Sequence, residues 1–100
     1  MILVVAKLDV AGEHRDAFVE AARAAVAEVR AEEGCLAYDL HEDVERPGRF
    51  VFVEEYRDEA ALSAHSGSRH LADFRAATRG MVEGAEIVVH EVASSRKPAR

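Results

Sequence analysis

The stretch RFVFVEEYRD, Arg49 to Asp58, has the two-residue period of a β-strand and is apolar on both of its faces. Phe50 and Phe52 fall on one side, and Val51 and Val53 on the other. The opening segment does the same: Ile2, Val4, Ala6, Leu8 and Val10 share one face, and Leu3 and Val5 begin the other. Strands of this kind need cover on both sides, because a bare apolar face of several strands exceeds the patch that soluble monomers expose. The same stretch holds an anomaly. Glu54 and Tyr56 continue the side of Phe50 and Phe52, so a carboxylate stands in line with three aromatic rings.

The elements between these strands fix the architecture. After Gly12, EHRDAFVEAARAAVAEVRAEE (13–33) has the helical period, with Phe18, Ala22, Ala25 and Val29 on one stripe, and Gly34 is the expected stop. CLAYDLHED (35–43) alternates again, the Pro-Gly pair within ERPGR (45–49) turns the chain, and FVFVEEYR (50–57) returns as the hairpin partner. Asp58 can cap a short helix over 59–65, and Ser66 or Ser68 a second. That second helix carries the stripe Leu71, Phe74, Ala77 and Met81 and should end at Gly84, before the last strand EIVVHEV (86–92). The order β-α-β-β-α-β is that of the ferredoxin-like α+β fold, an antiparallel sheet with its helices on one face. Residues 1–93 form one domain, and the basic SSRKPAR (94–100) a flexible tail. Since helices cover only one face, a second copy of the chain packed sheet to sheet is the expected cover for the other. The space between two such sheets is where Glu54 is expected to be enclosed.

Several function classes fall away. At a net charge of −6 the chain has no global attraction for nucleic acid or an anionic membrane. Cys35 is the sole cysteine, so no intrachain disulfide forms, and a small buried hydrophobe is a simpler reading than a nucleophile. Lys7 and Asp9 interrupt the apolar opening, and no run reaches membrane-spanning length, so a cytoplasmic location is expected. HEDVE (41–45) lacks the second histidine of a zinc-protease motif, and no phosphate loop or nucleophile elbow is present.

What remains is a short set of candidates. Glu54 either accepts hydrogen bonds that tie the sheet to a helix, works as a base, or ends the strand in solvent. His65 and His70 can serve as acid–base groups near neutral pH or as helix-end packing residues. Their spacing of five is wider than one helical turn, and no metal site is expected. Tyr38 and Tyr56 combine an aromatic body with a polar tip, suited either to cross-strand packing or to holding a phenolic oxygen, with Phe52 between them as wall. His14, His41 and His90 read as solvated.

Three pieces taken together, Glu33-Gly34-Cys35-Leu36-x-Tyr38, Phe50-Val51-Phe52-x-Glu54-x-aromatic and Ala61-Leu62-x-x-His65 followed by His70, resemble the antibiotic-biosynthesis-monooxygenase-like family over about residues 2–92. The likeness is greatest to its small bacterial quinol-monooxygenase type. The resemblance implies a dimeric α/β barrel with a cavity between sheet and helices. It also implies oxidation of an electron-rich aromatic by O2 without flavin, haem or metal. Such chemistry needs a base, a dry cavity and donors that hold the anion. Glu54, His65 and His70 are then the catalytic candidates, and Tyr38, Phe52 and Tyr56 the substrate-binding ones. Two departures matter. Tyr56 stands where quinol-type members more often carry tryptophan, and Phe74, Arg75 and Ala76 occupy the place where haem-degrading relatives have an axial histidine. Isomerisation of a small keto compound by the same base, and binding without catalysis, are the alternative activities for this fold.

Overall fold

The computed structural model describes residues 1–100, in the order β1 (Ile2–Val10), a 3-10 turn (Gly12–His14), α1 (Arg15–Arg30), β2 (Cys35–Glu42), β3 (Arg49–Tyr56), α2 (Glu59–Ser66), α3 (Arg69–Thr78) and β4 (Val82–Glu91). The strands form one sheet in the order β2-β3-β1-β4, with every neighbouring pair antiparallel. This is the ferredoxin-like α+β arrangement expected from the sequence. No helix is long and apolar enough to cross a membrane.

The register shows which face the helices take. Across β1 and β3, Ile2 opposes Tyr56, Val4 opposes Glu54, Ala6 opposes Phe52 and Leu8 opposes Phe50. Across β2 and β3, Tyr38 opposes Glu54 and Leu40 opposes Phe52. The buried residues of the sheet belong to these rows, joined by Val10 on the same face of β1, and they meet the inner stripe of α1: Phe18, Ala22, Ala25, Val26 and Val29. Phe18 packs on Phe50 with ring centroids 4.8 Å apart, and Tyr38 and Phe52 complete the same cluster. Ile2, Val4, Tyr56 and Ala61 form a second, smaller one beneath α2.

One expectation is thereby reversed. The chain's own helices cover the face that carries Glu54; no second copy is needed to enclose it. The larger side chains, Phe50, Phe52 and Tyr56, mark the helix side, where a helix standing off the sheet leaves depth to fill. The other face carries the smaller ones, with Val5 between Val53 and Val88 in one cross-strand row. No helix lies over that row, and Val88 is exposed.

The last helix also ends earlier than its stripe suggests. α3 stops at Thr78, Gly80 follows in the left-handed region at φ 86°, and β4 runs straight through Gly84. The inward residues are Leu71, Phe74 and Thr78, whereas Ala77 is exposed and Met81 lies beyond the helix. Thr78 Oγ1 donates to the carbonyl of Phe74 at 2.8 Å, so a polar residue closes the helix from inside. Cys35 is only half-buried.

Candidate active site

Four elements deliver titratable side chains to one place. β3 contributes Glu54, the turn after α1 contributes Glu32, the last turn of α2 contributes His65, and the first turn of α3 contributes His70. The local structure explains the convergence. Asp58 caps α2 by accepting from the Ala61 amide at 2.9 Å, which fixes the helix so that Ala61 and His65, one turn apart, both face inward. The chain then breaks at Gly67 and Ser68. Ser68 Oγ donates to the His65 carbonyl at 2.7 Å and accepts from the Leu71 amide at 3.3 Å, so one hydroxyl ends α2 and starts α3. Of the two serines considered as caps, Ser68 is the one used. The break folds α3 back and removes the obstacle of the five-residue spacing: His65 and His70 both reach Glu32.

Glu54 is 6% exposed. The Tyr56 hydroxyl donates to its Oε1 at 2.7 Å, and His65 Nε2 stands 3.8 Å from the same oxygen, close but beyond hydrogen-bond length. Burial pushes the Glu54 carboxyl above the usual carboxylate range, against the pull of the Tyr56 hydroxyl and of His65. Burial, with the charge of Glu54 beside them, likewise pushes both the Tyr38 and Tyr56 phenols upward, so both remain protonated and Tyr56 is the donor of its pair. On the other side of the imidazole, His65 Nδ1 lies 3.1 Å from both oxygens of Glu32. An ionised carboxylate can only accept, so Nδ1 donates to Glu32 while Nε2 faces Glu54. Glu32 also accepts from His70 Nε2, and His70 Nδ1 approaches Glu28 at 3.6 Å.

Glu54 and His65 open on a cavity of about 220 Å³ between the sheet and the pair α2 and α3. Tyr38, Phe52, Leu62, Leu71 and Phe74 form its apolar walls, Ser66 and Arg75 add polar groups, and Ile87 and Val89 of β4 lie along its side. Mostly apolar walls with few convergent polar groups are what a small organic ligand requires. A larger groove of about 420 Å³ follows α1 and the edge strand β2, but it is a weaker candidate. Two of its three arginines are already paired, Arg15 with Glu42 and Arg30 with Asp39, and it holds no buried acid or base facing an apolar wall.

The sequence candidates therefore divide. Glu54, His65, Tyr38 and Phe52 line the cavity; Tyr56 and His70 do not. Tyr56 is fully buried behind Glu54 and serves it as a hydrogen-bond donor. His70 stands behind Glu32, away from the cavity. Sequence reasoning missed Glu32, Arg75 and the wall residues Leu62, Leu71 and Phe74 as parts of a site. Glu32 gave no local signal: it looks like one more charge at the end of a charged helix, and its partners are 33 and 38 residues away. The donor atoms of Glu32, His65 and His70 all lie within 4.8 Å of one another, so this trio, and no other group of three such side chains, has the spacing to hold a metal ion.

Comparison with known proteins gives a consistent result. Residues 1–77 match the family model described as "Antibiotic biosynthesis monooxygenase". The chain is 39% identical over 74 residues to "Putative monooxygenase YcnE" of Bacillus subtilis (strain 168), covering 74% of this chain and 78% of that one. It is 36% identical over 75 residues to "Putative monooxygenase Rv0793" of Mycobacterium tuberculosis (strain ATCC 25618 / H37Rv), covering 75% and 73% of the two chains. The solved structure of Rv0793 superposes with a TM-score of 0.88 over 96% of this chain and 98% of that one. A solved structure described as an antibiotic biosynthesis monooxygenase gives a TM-score of 0.88 at 32% identity, over 94% of this chain and all of that one.

Proposed function

The chain belongs to the antibiotic biosynthesis monooxygenase family, and on that premise we propose that its cavity oxidises an electron-rich aromatic of the quinol type with O2, using no cofactor in the reaction. The observation that carries the proposal is the Glu54 carboxylate held among Tyr38, Phe52 and Phe74 with His65 beside it. A hydroquinone stacked on those rings presents a hydroxyl to Glu54, which takes its proton. The resulting anion passes one electron to O2, and the radical pair joins as a ring peroxide. Loss of water from the peroxide leaves a hydroxyquinone: one oxygen atom stays on the ring, the other departs as water, and the ring supplies all the electrons. His65 can relay the proton from Glu54, because Glu32 behind it stabilises an imidazolium. Arg75 adds positive charge near the substrate anion.

We assign the open sheet face to a homodimer. The row of Val5, Val53 and Val88 is apolar and not covered by any helix, and a second sheet is the cover that suits it. Sedimentation should return twice the chain mass; a monomer at micromolar concentration would remove this part of the reading.

The test of the activity is oxygen uptake with a panel of reduced naphthoquinones and benzoquinones, corrected for spontaneous oxidation. Saturable, protein-dependent uptake without added flavin or metal is expected for at least one member. No uptake across the panel would overturn the oxygenase reading and shift the cavity to isomerisation or to binding alone.

A further inference from the structure

We propose that Glu32, His65 and His70 form a binding site for one divalent transition-metal ion of the zinc class, placed behind the cavity, clamping the turn after α1 to the junction of α2 and α3. The proposal goes beyond the oxygenase reading and does not depend on it.

The donor set is the first argument. Two imidazole nitrogens and one carboxylate are the ligands preferred by Zn²⁺, Co²⁺ and their neighbours, and three protein ligands leave a position for water. The spacing is the second. Metal–ligand bonds of ~2.0–2.1 Å place neighbouring ligand atoms roughly 3 Å apart. His65 Nδ1 already stands 3.1 Å from each Glu32 oxygen, and all three donors fall within 4.8 Å of one another. The side chains of Glu32, His65 and His70 are 13%, 6% and 21% exposed, so the group is shielded but still reachable past His70.

The third argument is the outer layer. A histidine bound to metal usually turns its other nitrogen to a carboxylate, which fixes ring and tautomer. Each imidazole has a carboxylate near that other nitrogen, just beyond hydrogen-bond length: Glu54 lies 3.8 Å from His65 Nε2, and Glu28 lies 3.6 Å from His70 Nδ1. Three inner donors with a carboxylate within 4 Å of each remaining nitrogen form a two-layer arrangement of the kind metal sites use. A metal on His65 Nδ1 moves the ring proton to Nε2, where it points at Glu54, so with the ion bound Glu54 acts as base without the His65 relay. Neither Glu32 nor His70 touches the cavity, so the ion orders the wall and does not meet the substrate.

Titration of the chelator-stripped protein with Zn²⁺ alone, followed by calorimetry, should show one saturable site per chain. Co²⁺ in its place should give visible absorption of four- or five-coordinate type. His70→Gln and Glu32→Gln should each weaken Zn²⁺ by about tenfold or more, while His41→Gln, at an exposed histidine on β2, should leave it unchanged. Should Glu32→Gln fail to fold, nitrogen chemical shifts of the wild-type imidazoles decide the matter, since Zn²⁺ must move Nδ1 of His65 and Nε2 of His70 together. Absence of a saturable site, equal affinity in His70→Gln, or shifts confined to other histidines would each overturn the proposal.

Discussion

Glu54→Gln should abolish protein-dependent oxygen uptake, by about 10²-fold or more, and leave the melting transition cooperative. The substitution is isosteric, and the amide oxygen still accepts from the Tyr56 hydroxyl that now stands 2.7 Å from Oε1. What disappears is the capacity to take a proton, together with a charge that is costly to keep among aromatic rings. Stability should hold or rise for the second reason. Glu54→Asp separates the two effects, since it keeps the acid but withdraws it from both Tyr56 and the cavity, and partial uptake should survive. Turnover of Glu54→Gln within severalfold of the wild type, at an unchanged melt, would strip Glu54 of the base role and leave His65 as the only imidazole or carboxylate on the cavity wall.

Much of the scaffold was legible because it depends on one element at a time. The two-residue period of 2–10 and 50–57 marks β1 and β3, and the spacing of Phe18, Ala22, Ala25 and Val29 marks the buried side of α1. Pairwise information was less accessible. Alternation shows that β3 has two apolar faces, but not which of them receives the helices, so alternation alone places Glu54 under the wrong cover. Side-chain size held the missing signal: the face with Phe50, Phe52 and Tyr56 is the one a helix layer covers, and the valine face is the one that can meet another sheet. The apolar stripe sets Ala77 inward where the structure has Thr78 for a related reason, since a hydroxyl that bonds back to its own helix is inward-compatible although its type reads as polar. Glu32 is the residue whose role no local pattern could reveal. Its place depends on the break at Gly67 and Ser68, which turns α3 back so that two histidines meet a carboxylate more than 30 residues upstream.

Gly34→Ala should be among the most destabilising single-methyl additions the chain can suffer, at about 2–6 kcal/mol in all. Two costs coincide. Gly34 sits at φ 85°, in the left-handed region that side chains adopt only under strain. A Cβ there would also stand 2.6 Å from Cβ of Ala61, on the inner face of α2. A methyl has no rotamer with which to step aside, and Ala61 is itself buried, so turn and helix must separate. For a domain of this size each kcal/mol corresponds to about 4–8 °C in the melting temperature, so a fall of roughly 10 °C or more is expected. The separation runs through the site, because Gly34 lies two residues after Glu32 and Ala61 one turn before His65. Zn²⁺ affinity should therefore fall along with stability. Gly12→Ala is the control, with no atom near the added methyl and no unusual backbone angle, and it should melt as the wild type does. Adding Ala61→Gly to Gly34→Ala removes the collision and leaves the backbone strain, at the cost of about 1 kcal/mol for glycine in a helix. Recovery in that double variant assigns the loss to packing, and none assigns it to the turn. A wild-type melt for Gly34→Ala alone would mean that α2 does not rest on the turn after α1, and the meeting of His65 with Glu32 would lose its support.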